Sequence, residues 1–564
     1  MIATDAHGPL APSVAPTSGP TPSARLAVGV IVLLGAALRL IALDRVPPAI
    51  GQDEAVNAYD AYCILKTGTD HYGTPWPIFF RSFGDYHPGL PIYLQIPFQA
   101  VLGINIWSTR LPDALFGIAH IVFTYLLVRM FYGQRSAFWA AALLAVSPWH
   151  IHLSRLAFGI AIALCLITLG IYLVASRMRG GAGDSPVNRG TMLALAGAGL
   201  AFGVTPWTYH AMIVFVPLLL FAAVLIGWRR IHAFMKRRGS RAALSALFIG
   251  FCIGVAPFAW ASIRTPEQVW TRASSQSLFR QAPDAMSAAQ QVAANYFRHF
   301  SPSFLFLEGD RSLMQSVSRY GQLHHLYALL LPLGLVRVIG RWRQERFGRF
   351  IICWIVLAPI PAALTQIGES SGHCLRAAGA VPAYDILAAL GIGVLLDAAC
   401  RLWPPVLGSA RAAALSVVVA SAAHFGYHFF VRYPVEAAHD FLAEWGPAFQ
   451  EVARIESHYD AVMITEFGSG NAGVFYLFWS ATDPATFLHS DPRYQPIESG
   501  DYLVQFGKFY FVSSEQLDQV ARRLPPRARV LVVERPDIAV PGRPVARFDD
   551  AYGNLSIVLF EVAF

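Results

Sequence analysis

Apolar positions in this chain run in long blocks, not in the mixed spacing of a water-soluble core. Residues 26–43, 192–204, 212–228 and 380–396 are apolar and nearly uncharged. A helix needs about 20 such residues to cross the hydrocarbon of a bilayer, with about 17 tolerated. Several blocks qualify, and together they predict a bundle of membrane-spanning helices. After about Tyr433 the pattern changes. Short or alternating apolar runs at 461–465, 508–512, 530–533 and 556–560 read as strands, and 436–457 and 514–524 as helices. The expected organisation is a tail over 1–24, a transmembrane part over 25–432 and a soluble α/β domain over 433–564.

Composition agrees with the blocks: 55% of residues are hydrophobic and only 14% charged, against about 25% charged in soluble domains. The net charge of +8 (43 basic minus 35 acidic) comes from short gaps between apolar segments, at Arg129 and Arg135, at Arg177, Arg179 and Arg189, over 229–241 and 337–349, and at Arg401 and Arg411. Short cytoplasmic loops collect Lys and Arg in this way. Nothing resembles a basic groove or a nucleic-acid motif. All clusters fall inside if about eleven spans alternate, with outer loops near 44–109, 150–155, 206–210, 261–322 and 365–376. The scheme requires that 90–104 does not cross, and Pro88, Pro91 and Pro97 suit interfacial or re-entrant helices there. The first apolar segment lacks a small-x-small cleavage site before Asp44 and reads as a retained span. Six cysteines do not form a disulfide framework, although Cys63 and Cys374 both fall in outer loops, where a bridge stays open. No zinc pattern is present. His150 and His152 read as an interfacial pair beside Trp149 and not as ligands.

Chemistry is expected in the outer loops. Asp53 and Glu54 stand just beyond the first span, where one can act as a base. The alternative is a solvated acidic pair at a helix N-terminus. Arg81, Asp85 and His87 fall within seven residues. Glu308 and Asp310 lie in the long loop, as acceptor-groove acids or as solvated charges.

The runs Gln52-Asp-Glu-Ala55, Asn57-Ala-Tyr59, Leu65-Lys-Thr-Gly68, Phe83-Gly-Asp-Tyr86 with Pro88, and Ile92-Tyr-Leu94 resemble one family. It is the bacterial branch of the lipid-carrier-dependent glycosyltransferases, related to the protein mannosyltransferases and to the aminoarabinose transferase of lipid A. The resemblance continues through Arg110-Leu-Pro112, Ser147-Pro-Trp-His150 with Ser154-Arg155, Glu308-Gly-Asp310, His373-Cys-Leu-Arg-Ala377 with Pro382, and Arg432-Tyr-Pro434.

The resemblance implies an all-α polytopic membrane bundle of C-type glycosyltransferase type with a C-terminal soluble α/β domain. It implies transfer of a sugar, with inversion, from a polyprenyl phosphate to a glycan, lipid or protein hydroxyl outside a bacterial inner membrane. The family's base maps onto Asp53. A carboxylate beside a hydroxyl takes its proton as the new bond forms. The leaving phosphate is already anionic and needs fixed cations, not an acid. His87, His373 and Arg376 are the candidates, with Arg155 and Arg264 behind them, and Asp85 and Glu54 orienting cations or sugar hydroxyls. No cofactor and no catalytic metal are expected; the partners are the lipid-linked sugar, an envelope acceptor and the bilayer.

Two departures stand out. Relatives often have Lys where this chain has His87. They often carry a carboxylate where Ser154-Arg-Leu-Ala-Phe-Gly159 ends in glycine. An inactive relative, a transporter or flippase, and a membrane scaffold with a periplasmic binding domain are the alternative readings. Against a transporter stand the absence of charges deep in several spans and of pseudo-symmetric halves.

Overall fold

The computed structural model describes residues 21–178, 187–317, 319–367, 372–402, 404–466, 471–497 and 500–563. Most of the expected tail, and Arg179, therefore lie outside the described residues. The chain opens with helix α1 (Pro22–Leu40), where Pro22 occupies the first turn and the Thr21 hydroxyl accepts the Ala24 N–H. Next come α2 (Gln52–Thr67), the antiparallel hairpin β1 (Phe79–Ser82) and β2 (Asp85–Pro88), and α3 (Gly89–Leu102). They are followed by α4 (Ile106–Val146), α5 (Pro148–Leu153), α6 (Ile160–Met178), α7 (Arg189–Val204), α8 (Met212–Met235), α9 (Ser240–Arg264) and α10 (Pro266–Ser275).

Among the described residues, nine helices are long and apolar enough to cross a membrane. One of them, α4, is 41 residues long and leaves helical geometry at Gly133 (φ 79°), between Arg129 and Arg135, so it is two crossings joined at a basic turn. The 14-residue apolar helix Tyr327–Gly340 lies along Val381–Leu402, where a Cβ added at Gly334 or Gly391 would meet the Leu387 or Leu330 carbonyl. At 14 residues it is shorter than the about 17 that a crossing tolerates, so with α4 counted twice the long apolar segments among the described residues number ten. α3 is equally short but packs on α2, with Gln99 donating to the Ala58 carbonyl at 2.9 Å. The tightest pair is α7 with α9: side chains at Gly199, Gly203 or Gly250 would run into the carbonyls of Leu247, Phe251 and Ala196. Small residues four apart allow this approach in lipid, where van der Waals packing drives helix association. The spans are not free of charge, for Arg39, Asp113 and Asp385 are all buried. Each lies within about two turns of the end of its helix on the α2 face, which is why the apolar windows hid them.

Beyond the last long apolar helix, Leu407–Glu436, stands a seven-stranded sheet in the order β4-β5-β6-β3-β7-β9-β8. β3 (Ala461–Thr465) pairs in parallel with β6 (Phe509–Val512) and β7 (Arg529–Glu534), and β9 (Leu555–Ala563) runs antiparallel to β7. These four are the runs legible as strands. β4 (Arg493–Ile497), β5 (Gly500–Phe506) and β8 (Arg543–Asp549) are not; β8 is mostly exposed and turns only Ala546 and Phe548 toward the core. The apolar helix Ala472–Trp479 also escapes, because seven of its eight residues are buried and carry no helical period.

This domain is not closed on itself. Ala55, Val56, Tyr59 and Cys63 of α2 share one core with Trp445, Phe475 and Leu503, and burial of each larger apolar side chain contributes about 1.5–3 kcal/mol. The Tyr59 hydroxyl donates to the Thr482 carbonyl at 3.1 Å, and Tyr494 to that of His71 at 3.3 Å. Arg81 of β1 pairs with Asp501 of β5. Cys63 and Cys374 are both buried and free, so no bridge joins them.

Candidate active site

The stretch from the end of α1 to α2 runs over two buried arginines. Arg155 donates to the carbonyls of Leu38, Ile41, Ala42 and Val46 at 2.7–3.0 Å, setting a cation at the negative end of α1. Arg110 donates to the carbonyls of Leu43, Pro47 and Ala49 and to both oxygens of Glu54, at 3.0 and 2.8 Å. Those bonds use all five N–H donors of a guanidinium. Glu54 also accepts the Gly51 N–H at 3.1 Å and the Ala157 N–H at 2.9 Å. Arg110 and Glu54 are fully buried. The linker is thereby threaded from span to α2, and α2 starts at a defined place.

Asp53, one residue earlier, points the other way. Its side chain is 43% exposed and lines a pocket with Asn57, His87, Phe158, Tyr209 and Arg272. Position in the first turn of α2 sets the carboxylate near the positive helix end. His87 on β2 holds Asn57 Oδ1 through Nδ1 at 2.7 Å, leaving Nε2 3.9 Å from Asp53 Oδ1. Arg272 on α10 pairs with Asp85. Burial works against its charge, but Asp85, Asp53 and Tyr209 outweigh it and hold the guanidinium above its ordinary value. Burial pushes the Tyr209 phenol up, so it stays a donor. Burial, then the charges of Arg272, His87 and Arg376, hold His210 well below the ordinary imidazole value. The pocket therefore carries one open carboxylate, a neutral histidine and a fixed cation.

Not every expected residue reaches it. Asp53 and His87 do, and Asp85 is joined to it only through its ion pair with Arg272. Arg376 stands beside Tyr209 and Arg272, donating to Thr365 Oγ1 at 2.7 Å and the Gln366 carbonyl at 2.9 Å. His373 lies behind it, its Nδ1 3.9 Å from Asp310; burial and the Arg376 charge hold it well below the ordinary value. Arg155 and Glu54 sit under the pocket with their bonding groups consumed, and they position instead of facing substrate. Arg264 is exposed and stacks on Trp260. Asp310 accepts the Cys374 N–H at 2.9 Å, and Glu308 is exposed, accepting from Ser303. His150 and His152 are fully buried and not interfacial; His150 bridges Arg39 and His120.

Sequence reasoning passed over Arg272, Tyr209 and Asn57. The signal for Arg272 was weak: one basic residue in a helix of the long loop, with Asp85 the acid it complements 187 positions away.

Gly159 has a geometric explanation. Its φ is +74°, and a Cβ there would sit 2.6 Å from the Thr208 carbonyl and collide with Pro91, both in the pocket wall. No side chain fits. The carboxylate at this level is Asp113, whose Oδ2 accepts the Gly159 N–H at 3.4 Å at the start of α6.

Residues 86–260 match the family model described as dolichyl-phosphate-mannose-protein mannosyltransferase. Among curated proteins, none matches the sequence. The chain is similar in structure to ArnT from Cupriavidus metallidurans bound to undecaprenyl phosphate, with TM-score 0.52 and 16% identity over 95% of this chain and 97% of that one. Against the apo state of the same protein the TM-score is 0.53, with 14% identity over 95% of this chain and 98% of that one. The chain is a multi-pass membrane protein with the C-type glycosyltransferase fold, and at that level the resemblance read from its motifs holds.

Proposed function

We propose that the chain is an inverting glycosyltransferase that moves a sugar from a polyprenyl phosphate to a hydroxyl acceptor, with Asp53 as general base. The observation that carries this reading is one pocket holding the open Asp53 carboxylate and, across it, the Arg272 guanidinium with Arg376 beside it. The structurally similar ArnT binds undecaprenyl phosphate. The basic clusters support a pocket on the outer face of a bacterial inner membrane.

In the reaction the acceptor oxygen attacks C1 of the sugar from the side opposite the phosphate. Its proton passes to Asp53, the C1–O bond to phosphate breaks, and the polyprenyl phosphate leaves with the electron pair. One displacement inverts the anomeric centre. Arg272 and Arg376 meet the charge that gathers on the phosphate, where a planar fork matches two oxygens. Tyr209 and Asn57 supply donors to the phosphate or sugar. His87 fixes Asn57 and faces Asp53, holding the wall between base and donor.

The test is transfer from a panel of radiolabelled polyprenyl-phosphate sugars to envelope acceptors by purified protein. Asp53→Asn is expected to keep donor binding and lose about 10²–10⁴-fold in turnover. Arg272→Ala is expected to weaken donor binding about tenfold or more, the scale of one charge-assisted hydrogen bond. Turnover of Asp53→Asn at the wild-type rate removes the base assignment. Absence of transfer from every donor removes the reaction class.

A further inference from the structure

A second cavity lies far from the pocket and takes no part in the proposed reaction. Its volume is about 420 Å³, and its walls come from α6, α7, α8 and α9 and from the start of the helix Arg346–Leu357, with Val174, Phe202, Ala223, Leu247 and Phe350 among the lining residues. α8 begins beside the pocket residues Tyr209 and His210 and reaches this cavity near its other end. Eighteen residues separate Met212 from Arg230, which at 1.5 Å per residue is about 27 Å along the helix axis. The cavity therefore opens on the opposite, basic face of the bundle.

Its lining is apolar apart from two groups, Arg230 and Arg346. Both line the one cavity, close enough for the Arg346 charge to act on Arg230. Among the described residues neither has an ion-pair or hydrogen-bond partner, and no acidic side chain lines the cavity. The nearby Glu345 is committed to Arg337 and Arg341. Two like charges above a hydrocarbon-lined hollow call for an anion with an apolar body. The arginine fork suits phosphate oxygens, and acyl chains fill space that water would leave dry.

We propose that this cavity binds one anionic phospholipid of the cytoplasmic leaflet, its phosphate between Arg230 and Arg346 and an acyl chain against α6 and α8. A net negative headgroup is selected because the surrounding turns are basic, with Arg229, Arg237 and Arg349 close in sequence, and they repel the ammonium of a zwitterionic lipid. The donor lipid does not fit, because its phosphate must reach the pocket at the far face. The inference shares with the proposed function only the orientation of the chain, and its test uses no sugar donor, so the two fail separately.

The experiment is native mass spectrometry of the full chain released from nanodiscs of equimolar phosphatidylglycerol and phosphatidylcholine with matched acyl chains. The wild type is expected to retain one phosphatidylglycerol at about tenfold or greater preference, the ratio that 1.4 kcal/mol of selectivity gives. The double variant Arg230→Gln, Arg346→Gln is expected to retain the two lipids equally. Ala223→Trp, which fills the hollow and keeps both arginines, is expected to lose the adduct. Equal retention of both lipids by the wild type, selectivity that survives in the double variant, or a polyprenyl phosphate as the retained lipid each overturns the proposal. The wild-type comparison decides the matter even where a variant does not fold.

Discussion

The pocket and the linker beneath it both bring arginines and carboxylates together, yet the chain uses them in opposite ways. Under the pocket, Glu54 and Arg110 are fully buried and saturate each other and the backbone around them. In the pocket, Asp53 is open, and His87 Nε2 stands 3.9 Å from its Oδ1. The two acids are adjacent in sequence, and the helix start turns one down and the other out. Burial of an ion pair is costly unless every bond is filled, and here every bond is filled. The same chemistry left half-filled becomes a site.

The first prediction separates the two acids. Glu54→Gln leaves the Arg110 charge buried without a carboxylate, and breaking such a pair costs about 3–5 kcal/mol. Asp53→Asn touches an open side chain and is expected to shift stability by less than about 0.5 kcal/mol. Unfolding followed by size-exclusion fluorescence in detergent shows which is which. A Glu54→Gln protein as stable as wild type would mean that the linker is held by the carbonyl bonds of Arg110 and Arg155 alone.

This contrast also marks what the sequence could reveal. The spans were legible because membrane crossing needs long uncharged blocks. Asp53 was legible through its motif, but Glu54 and Arg155 stood in motifs just as good and went under the pocket. A motif records that a residue type is required; it does not say whether its bonds are already spent. Arg272 was invisible for the reverse reason: its partner Asp85 is distant in the chain and α10 carries no motif. The edge strands and the core role of α2 escaped because they depend on long-range contacts that leave no period.

Gly159 offers a second way to test how the wall is built. Gly159→Ala must hold a side chain at φ +74° and push against the Thr208 carbonyl and Pro91. Strain of this kind with overpacking costs about 1–3 kcal/mol. Because both neighbours line the pocket, donor KM is expected to rise as well. A glutamate placed there, restoring the family pattern, is expected to do worse than alanine. Improved transfer by Gly159→Glu in the radiolabel assay would show that the wall yields and that a carboxylate is missing.

The smallest effect probes the junction between the first loop and the soluble domain. Burial, then the neighbouring Asp60, raises Asp70 to about 6, while its Oδ1 accepts the Tyr72 and Thr74 N–H groups at 2.9 and 2.7 Å. The folded state therefore binds this proton more tightly than the unfolded chain. Its stabilising contribution is present at low pH, fades as pH rises from about 4 through about 6, and is gone above that. His71 works in the same direction: burial opposes its charge, but Asp60 at 2.6 Å wins and raises it, so its contribution is lost as pH rises through its folded value. Asp70→Asn keeps an acceptor oxygen and removes the titration. The variant is expected to gain about 1–2 kcal/mol over wild type at pH 7.5, since each tenfold change in proton affinity is worth about 1.4 kcal/mol, and to match it near pH 4. The His71 part of the profile should remain. Two stability curves that run parallel from pH 4 to 7.5 would show that Asp70 titrates as a solvated acid.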